Sequence, residues 1–257
     1  MLEAAVAAGL TPTVVTFQPH PRTALGNRVE LLTTLERRLE LLADAGVEEA
    51  LVLPFTMELA RLEPEEFAEL VLRAIGARVV VAGVDFRFGH RRRGDLDLLR
   101  REGFDVRPVP LVEGVSSTHI RKLVRAGESE RAARLLARPP EVEGTVVAGD
   151  ERGGTLGFPT ANLALDPECV VPALGIYAGA AAGHRAAVSI GTNPHYGGEE
   201  LRVEAFLLDF SGELYGRRLV VEIWRRLRDE RAFPTERELV AQIARDVEDV
   251  RRADRPG

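Results

Sequence analysis

The sequence predicts an α/β domain over residues 1–138, followed over 139–257 by a small antiparallel β-barrel with a C-terminal helix. Three observations carry this. Up to Arg138-Pro-Pro140, β-branched runs alternate with amphipathic helical runs, the pattern of a parallel sheet with crossover helices. Beyond that point, short alternating runs are separated by glycine and proline, which suits antiparallel strands whose edges are removed by closure into a barrel. Finally, Leu239, Val240, Ile243, Val247 and Val250 share one helical face within residues 235–250, as expected of a helix lying against the barrel.

Each element has its own signal. Residues 1–9 are alanine-rich and end at Gly9, a helix with a C-terminal glycine, and Thr13-Val-Val-Thr-Phe17 is a short β-branched strand. Residues 34–45 form an amphipathic helix stopped at Gly46, before a strand at Ala50-Leu-Val-Leu53. Pro64 opens a helix that runs to Ile75, and Arg78-Val-Val-Val-Ala82 is the next strand. A helix follows Gly94, then a strand at Phe104-Asp-Val-Arg-Pro-Val109, then two helices between Ser117 and Leu136. In the second domain, strands are expected at residues 143–147, 176–181, 186–190, 202–208 and 218–224.

Composition bounds the function. A chain of 257 residues with 45% hydrophobic content can bury two modest cores. A formal net charge of −6 argues against a general nucleic-acid binder, which needs the opposite sign. Cys169 is the sole cysteine, which excludes an intramolecular disulfide and disfavours a structural zinc site. No apolar run reaches the roughly 18 residues of a membrane span, and Met1-Leu-Glu-Ala-Ala lacks the basic start of a signal peptide. The expectation is a cytoplasmic protein with small-molecule partners, without nucleic acid or membrane; none of these features encodes the oligomeric state.

The most informative stretch is Gly149-Asp-Glu-Arg-Gly-Gly-Thr-Leu-Gly-Phe-Pro-Thr-Ala-Asn162. Gly149, Gly153, Gly154 and Gly157 permit turns that bring backbone N–H groups close to a bound anion, so the loop reads as a phosphate cradle. Thr160 and Asn162 are two apart, so on an extended segment they face the same way and can offer two hard oxygens to one Mg²⁺. Pro159 stiffens the approach. The alternative is a β-hairpin turn followed by a strand.

Gly-Phe-Pro-Thr-Ala-Asn, residues 157–162, resembles the signature of riboflavin kinases, and the chain around it resembles the bacterial bifunctional riboflavin kinase/FAD synthetase. That resemblance implies a Rossmann-like nucleotidyltransferase α/β domain followed by a Greek-key β-barrel. It implies ATP-dependent phosphorylation of riboflavin to FMN and, in the complete protein, adenylylation of FMN to FAD. Phe158 and Pro159 join the four glycines as ATP-binding candidates.

Three strings of the first domain look like those of the adenylyltransferase half: Thr16-Phe-Gln-Pro-His-Pro21, Gly83-Val-Asp-Phe-Arg-Phe-Gly89 and Val115-Ser-Ser-Thr-His-Ile-Arg121. The first two follow strands, where α/β sheets bind ligands. Asp85 and Phe88 are candidates for nucleotide or FMN contact, and solvation of a loop is the alternative for Asp85. Ser116, Ser117 and Thr118 open a helix where phosphates can be met, and Arg121 can reach the same anion; a plain N-cap is the alternative.

The front of this domain departs from the family. The resembling enzymes begin with a strand and a Gly-x-Phe-Asp-Gly-x-His-x-Gly-His turn, whereas His20, His90, His119, His184 and His195 here show no such spacing. That strand lies mid-sheet in the resembling fold, and each buried backbone group orphaned by its loss costs about 1–3 kcal/mol. The expectation is that the natural protein extends about twenty residues upstream, the length of a strand plus that turn. A chain that truly began at Met1 is expected to transfer little or no adenylyl.

Phosphoryl transfer to a primary hydroxyl calls for a positioned carboxylate. In Arg202-Val-Glu-Ala-Phe-Leu-Leu-Asp209, Glu204 shares a strand face with Phe206 and Leu208, so it is either functional or an ordinary surface or ion-paired glutamate. The family's Glu-x-x-x-Leu-Asp-Phe strand, here Glu204 to Phe210, implies the catalytic base. Ser189-Ile-Gly-Thr-Asn-Pro-His-Tyr-Gly-Gly198 resembles a second family loop in which His195 is incidental. Arg228-Asp-Glu-Arg-Ala-Phe233 resembles a flavin-side flap in which Phe233 covers the ring; packing of a helix entry is the alternative. Competing readings are a kinase with a non-catalytic first domain and a flavin or nucleotide sensor without turnover. An RNA-binding barrel is disfavoured by the acidic charge and few aromatics.

Overall fold

The structure, a computed structural model, describes residues 2–148, 158, 160–193 and 200–257. Packing divides the chain into two compact units, Met1–Val29 with Leu35–Gly114, and Glu30–Thr34 with Val115–Gly257.

In the first unit, helix α1 (Leu2–Val6) precedes strand β1 (Thr13–Gln18), the one-turn helix α2 (Pro21–Ala24), α3 (Leu35–Asp44) and β2 (Glu49–Pro54). Helix α4 (Pro64–Phe67) continues as a π-helical turn over Ala68–Arg73 and leads to β3 (Val79–Gly83), α5 (Leu96–Arg101) and β4 (Asp105–Val109). Caps fix the starts of two of these helices: the Glu66 carboxylate accepts the Glu63 N–H at 2.8 Å in front of Pro64, and Asp95 caps α5 by accepting the Leu98 N–H at 3.0 Å.

The strands pair in parallel, β1 with β2 and β3 with β4. The single parallel sheet expected from the strand–helix rhythm is therefore two two-stranded ladders, and among the described residues no backbone ladder joins them. What unites them is apolar packing. Val15 and Phe17 of β1, Leu51 and Leu53 of β2, and Val80 and Val106 of the other pair all border one core built on Phe67, Val71, Phe88, Leu99 and Phe104.

In the second unit, helices α6 (Ser117–Arg125) and α7 (Ser129–Leu136) come before the barrel. Ile120, Leu123, Val124 and Ala132 pack with Val170, and the short strap at residues 30–34 joins them through Leu32. Leu31 donates its N–H to the Glu168 carbonyl at 2.7 Å and accepts from the Val170 N–H at 2.8 Å. The break in packing thus lies before these two helices, whereas the change in sequence rhythm at Arg138-Pro-Pro140 lies after them. Rhythm reports the kind of element; packing reports which apolar faces are buried together.

The barrel contains β5 (Glu141–Val147), β6 (Ala161–Leu165), β7 (Gly175–Ala181), β8 (His184–Asn193), β9 (Glu200–Leu207) and β10 (Arg218–Arg228). It is closed in the order β10-β5-β6-β9-β8-β7. Within it β7, β8 and β9 form a meander and β10 returns beside β7, the Greek-key order. Val142, Leu163, Val188, Ile190, Val203, Ala205, Val221 and Ile223 fill the interior. By the two-residue period of a strand, Asn162, Ser189, Glu204 and Phe206 then stand on the outer face.

Part of that outer face is covered by the C-terminal helix, α8 (Glu236–Arg252). Val250 and Ala253 pack with Ala178, Leu208 and Trp224, with Phe206 and Val247 at the margin. The buried line of the helix differs from the apolar face expected from sequence: its buried residues are Gln242, Asp246 and Val250, while Leu239, Val240, Ile243 and Val247 are half-buried. The helix is turned toward its polar edge, where Asp246 pairs with Arg228 of the barrel at 2.7 Å.

Candidate active site

Three antiparallel strands place the central residues. Asn162 of β6 is the register partner of Glu204 in β9, and Glu204 is in turn the partner of Ser189 in β8. These three side chains therefore form a row across the outer barrel face, with the carboxylate in the middle. Thr160, immediately before β6, donates its hydroxyl to Glu204 Oε2 at 3.3 Å. Thr160, Asn162 and Glu204 are thus gathered in one place, and all three are half-buried.

An apolar wall adjoins the row. Phe206, two residues beyond Glu204 on the same face, meets Phe158 edge to face with ring centroids 5.3 Å apart. The expected phosphate-cradle positions Gly149, Gly153, Gly154 and Gly157, together with Pro159 and His195, lie outside the described residues.

On the other flank, residues 229–235 connect β10 to the C-terminal helix. An added Cβ at Gly191 in β8 would stand 2.5 Å from Glu230 Oε1, so this loop rests on the outer face two residues from Ser189. Phe233 lies under two guanidinium groups, Arg231 at 4.8 Å and Arg228 at 5.7 Å from the ring centroid. Arg231, Phe233, Arg237, Glu238 and Arg245 are among the residues lining a cleft of about 690 Å³ at the start of the helix.

Asp246 and Gln242, buried behind this loop, carry no sequence motif. The signal available in the sequence was slight: two polar residues one helical turn apart, in line with Val250, which marks them as buried only once the helix orientation is known.

In the first unit, Asp85 lies exposed just past the carboxyl end of β3, and its Oδ1 would be 3.0 Å from a Cβ added at Gly83. Phe88, the other candidate for nucleotide or FMN contact in this string, has a mostly buried ring. It is 8% exposed, stacks on Phe86 at 5.5 Å and packs against Phe67, which puts its ring in the core because Gly94 leaves space for it there. The His90 ring nitrogen Nδ1 lies 3.1 Å from Glu63, and Arg93 also pairs with that carboxylate, so His90 and Arg93 hold the turn to the start of α4. The hydrogen bond with the His90 imidazole, and secondarily the Arg93 guanidinium, hold the Glu63 carboxyl below its ordinary value.

Ser116 is the N-cap of α6, accepting the His119 N–H at 3.1 Å; Ser117 and Thr118 are exposed in the first turn, and Arg121 is half-buried one turn on. Asp85 and this helix start belong to different compact units.

Comparison with known proteins accounts for both halves. The FAD synthetase family model matches residues 1–121, and the riboflavin kinase family model matches residues 136–253. A bifunctional riboflavin kinase/FMN adenylyltransferase of Listeria monocytogenes is 35% identical over 95% of this chain and 82% of its own length. The protein of the same description from Escherichia coli K12 is 36% identical over 91% of this chain and 79% of its own length. A crystal structure described as a macrolide-efflux protein from Streptococcus pneumoniae superposes with a TM-score of 0.87 at 34% identity, covering 98% of this chain and 87% of that one. Among the described residues no helix is long and apolar enough to cross a membrane. With both family models matched in order and relatives above one-third identity along most of its length, the chain belongs to the bifunctional riboflavin kinase/FMN adenylyltransferase family.

Proposed function

We propose that the barrel unit transfers the γ-phosphoryl group of ATP to the ribityl 5′-hydroxyl of riboflavin, giving FMN and ADP, with Glu204 as the base. The observation that carries this is the shared location of Thr160, Asn162 and Glu204 on one outer face. The ribityl oxygen attacks phosphorus, the bond from the γ-phosphorus to the ADP oxygen breaks, and the hydroxyl proton passes to Glu204. A carboxylate in a row of neutral polar side chains is suited to accept that proton. The Phe158–Phe206 wall excludes water from the transferring group.

Thr160 and Asn162 are the residues that would hold Mg²⁺. The donor set fits a hard ion: a hydroxyl and an amide oxygen, with phosphate oxygens and waters completing the shell. Donation of the Thr160 proton to Glu204 leaves the hydroxyl lone pairs available. The ion, when bound, neutralises charge on the ATP phosphates. Gly149, Gly153, Gly154, Gly157, Phe158 and Pro159 are assigned to the ATP phosphates from the sequence motif, and Arg228 and Phe233 to the flavin side.

For residues 1–121, which the FAD synthetase family model matches, we assign adenylylation of FMN to FAD, with Asp85 at the end of β3 as a nucleotide or flavin contact. Ser116, Ser117, Thr118 and Arg121 are assigned to phosphate at the start of α6. Phe88 stays in this set from the sequence motif, its ring mostly buried.

Incubation of the chain with riboflavin, ATP and Mg²⁺, with chromatographic separation of the flavins, tests the proposal. FMN and FAD together support both activities; FMN alone confines turnover to the barrel unit. The absence of both products overturns the kinase assignment.

A further inference from the structure

The most heavily bonded buried carboxylate in the described part of the barrel unit has no place in the mechanism above. Asp246 is 4% exposed and lies on the buried line of the C-terminal helix. Arg228 Nε donates to its two oxygens at 3.0 and 3.1 Å, Arg228 Nη2 to Oδ2 at 2.7 Å, and Gln242 Nε2 to Oδ1 at 2.8 Å. From there the bonds run outward into the loop. Arg228 Nη1 donates to the Asp229 carbonyl at 3.0 Å, and Arg231 Nη2 donates to Gln242 Oε1 at 2.6 Å. The same two arginines both lie over the Phe233 ring.

We propose that Asp246, with Gln242, is a positioning residue for riboflavin: it fixes the loop 229–235, and through Arg228 and Arg231 the Phe233 ring, beside the Glu204 row. The proposal rests on the kinase reading and adds residues to it. Anchoring of the helix alone does not explain the network. The C-terminal half of the helix is already held by Val250 and Ala253 in an apolar cluster, by Arg185 donating to the Val250 carbonyl at 2.9 Å, and by the Arg251–Asp209 pair. The rest of the helix buries only Gln242 and Asp246, which bond to Arg231 of the loop and to Arg228 at the end of β10.

A buried ion pair is a poor source of stability, because desolvation offsets most of its attraction; apolar residues of similar size would hold a helix as well. Its distinctive property is geometric. The bidentate fork allows one orientation of Arg228, and Gln242 repeats the constraint at Arg231. The loop so fixed reaches the site, since Glu230 rests on Gly191, two residues along β8 from the register partner of Glu204.

The test compares steady-state constants of the wild-type chain with those of Asp246→Asn, Asp246→Glu and Gln242→Met, each checked by its melting curve. Asp246→Asn is expected to raise the riboflavin KM about tenfold while the ATP KM stays within about twofold. Asp246→Glu should restore part of the loss, and Gln242→Met should raise the riboflavin KM about threefold. A merely structural role would lower the melting temperature without separating the two KM values. Folded variants with unchanged riboflavin KM, or with equal rises for both substrates, overturn the proposal. If Asp246→Asn does not fold, Gln242→Met decides alone, and an unchanged riboflavin KM overturns it. A wild-type chain that makes no FMN overturns the kinase reading and this inference with it, a result seen before any variant is compared.

Discussion

Thr160 donates its hydroxyl to Glu204 across 3.3 Å, although the two residues lie 44 positions apart in sequence. The bond exists because β6 and β9 pair in a register that sets Asn162 opposite Glu204, which brings the residue before β6 alongside the same carboxylate. A loop-borne hydroxyl and a strand-borne acid thereby become one unit on the barrel surface, and the first two predictions follow from it.

Glu204→Gln retains shape and removes the proton acceptor. FMN formation should fall by about 10²–10⁴-fold, the usual range for a lost general base. ATP affinity, measured by calorimetry with Mg²⁺ and no flavin, should change little. Undiminished turnover would remove Glu204 from the base role.

Thr160→Ala deletes the hydroxyl and Thr160→Ser keeps it. The alanine variant should need about tenfold more Mg²⁺ for half-maximal FMN formation, a difference of ~1.4 kcal/mol. The serine variant should stay near wild type. Identical Mg²⁺ dependence in all three would place the ion elsewhere.

Closure of the barrel depends on a glycine. A Cβ at Gly179 in β7 would stand 2.0 Å from the backbone carbonyl oxygen of Glu222 in β10, where the β7–β10 register shifts beyond Ile223. Gly179→Ala should destabilise the barrel by about 1–3 kcal/mol or more, the range for overpacking. Urea unfolding followed by the fluorescence of Trp224, which packs beneath the C-terminal helix, reads this directly.

The first unit carries a pH dependence of defined sign. The Leu98 N–H, and secondarily the Arg87 guanidinium, hold the Asp95 carboxyl below its ordinary value of 3.8. A depressed carboxyl stabilises fully above that ordinary value, and the contribution is lost as pH falls through the folded-state value beneath it. The melting temperature of Asp95→Ala should therefore lie below wild type at pH 7, and the gap should narrow below about pH 4. A gap independent of pH would mean that the charge of the cap contributes nothing.

Much of the architecture was legible because its signals are local. Pro64, Gly9, Gly46 and the alternation of β-branched with helical runs depend on neighbours along the chain, and the elements of the first unit fall close to their expected bounds. Strand β6 was hidden behind the glycine-rich stretch and was read only as an extended segment carrying Thr160 and Asn162. The burial of the Phe88 ring was not legible, because only packing reveals that Gly94 opens a core slot for it.

What the sequence determined by itself was the kind of most elements, the candidate groups Thr160, Asn162 and Glu204, and the two-part organisation of the chain. The tertiary structure decided the rest. It brought Glu204 to Thr160, kept the parallel strands as two ladders, grouped α6 and α7 with the barrel, and turned the C-terminal helix so that Asp246 meets Arg228. The physical reason is range. Propensity and capping act within a few residues, whereas register, burial of a charge and the filling of a core slot are settled by groups far apart in sequence, whose meeting depends on the whole fold.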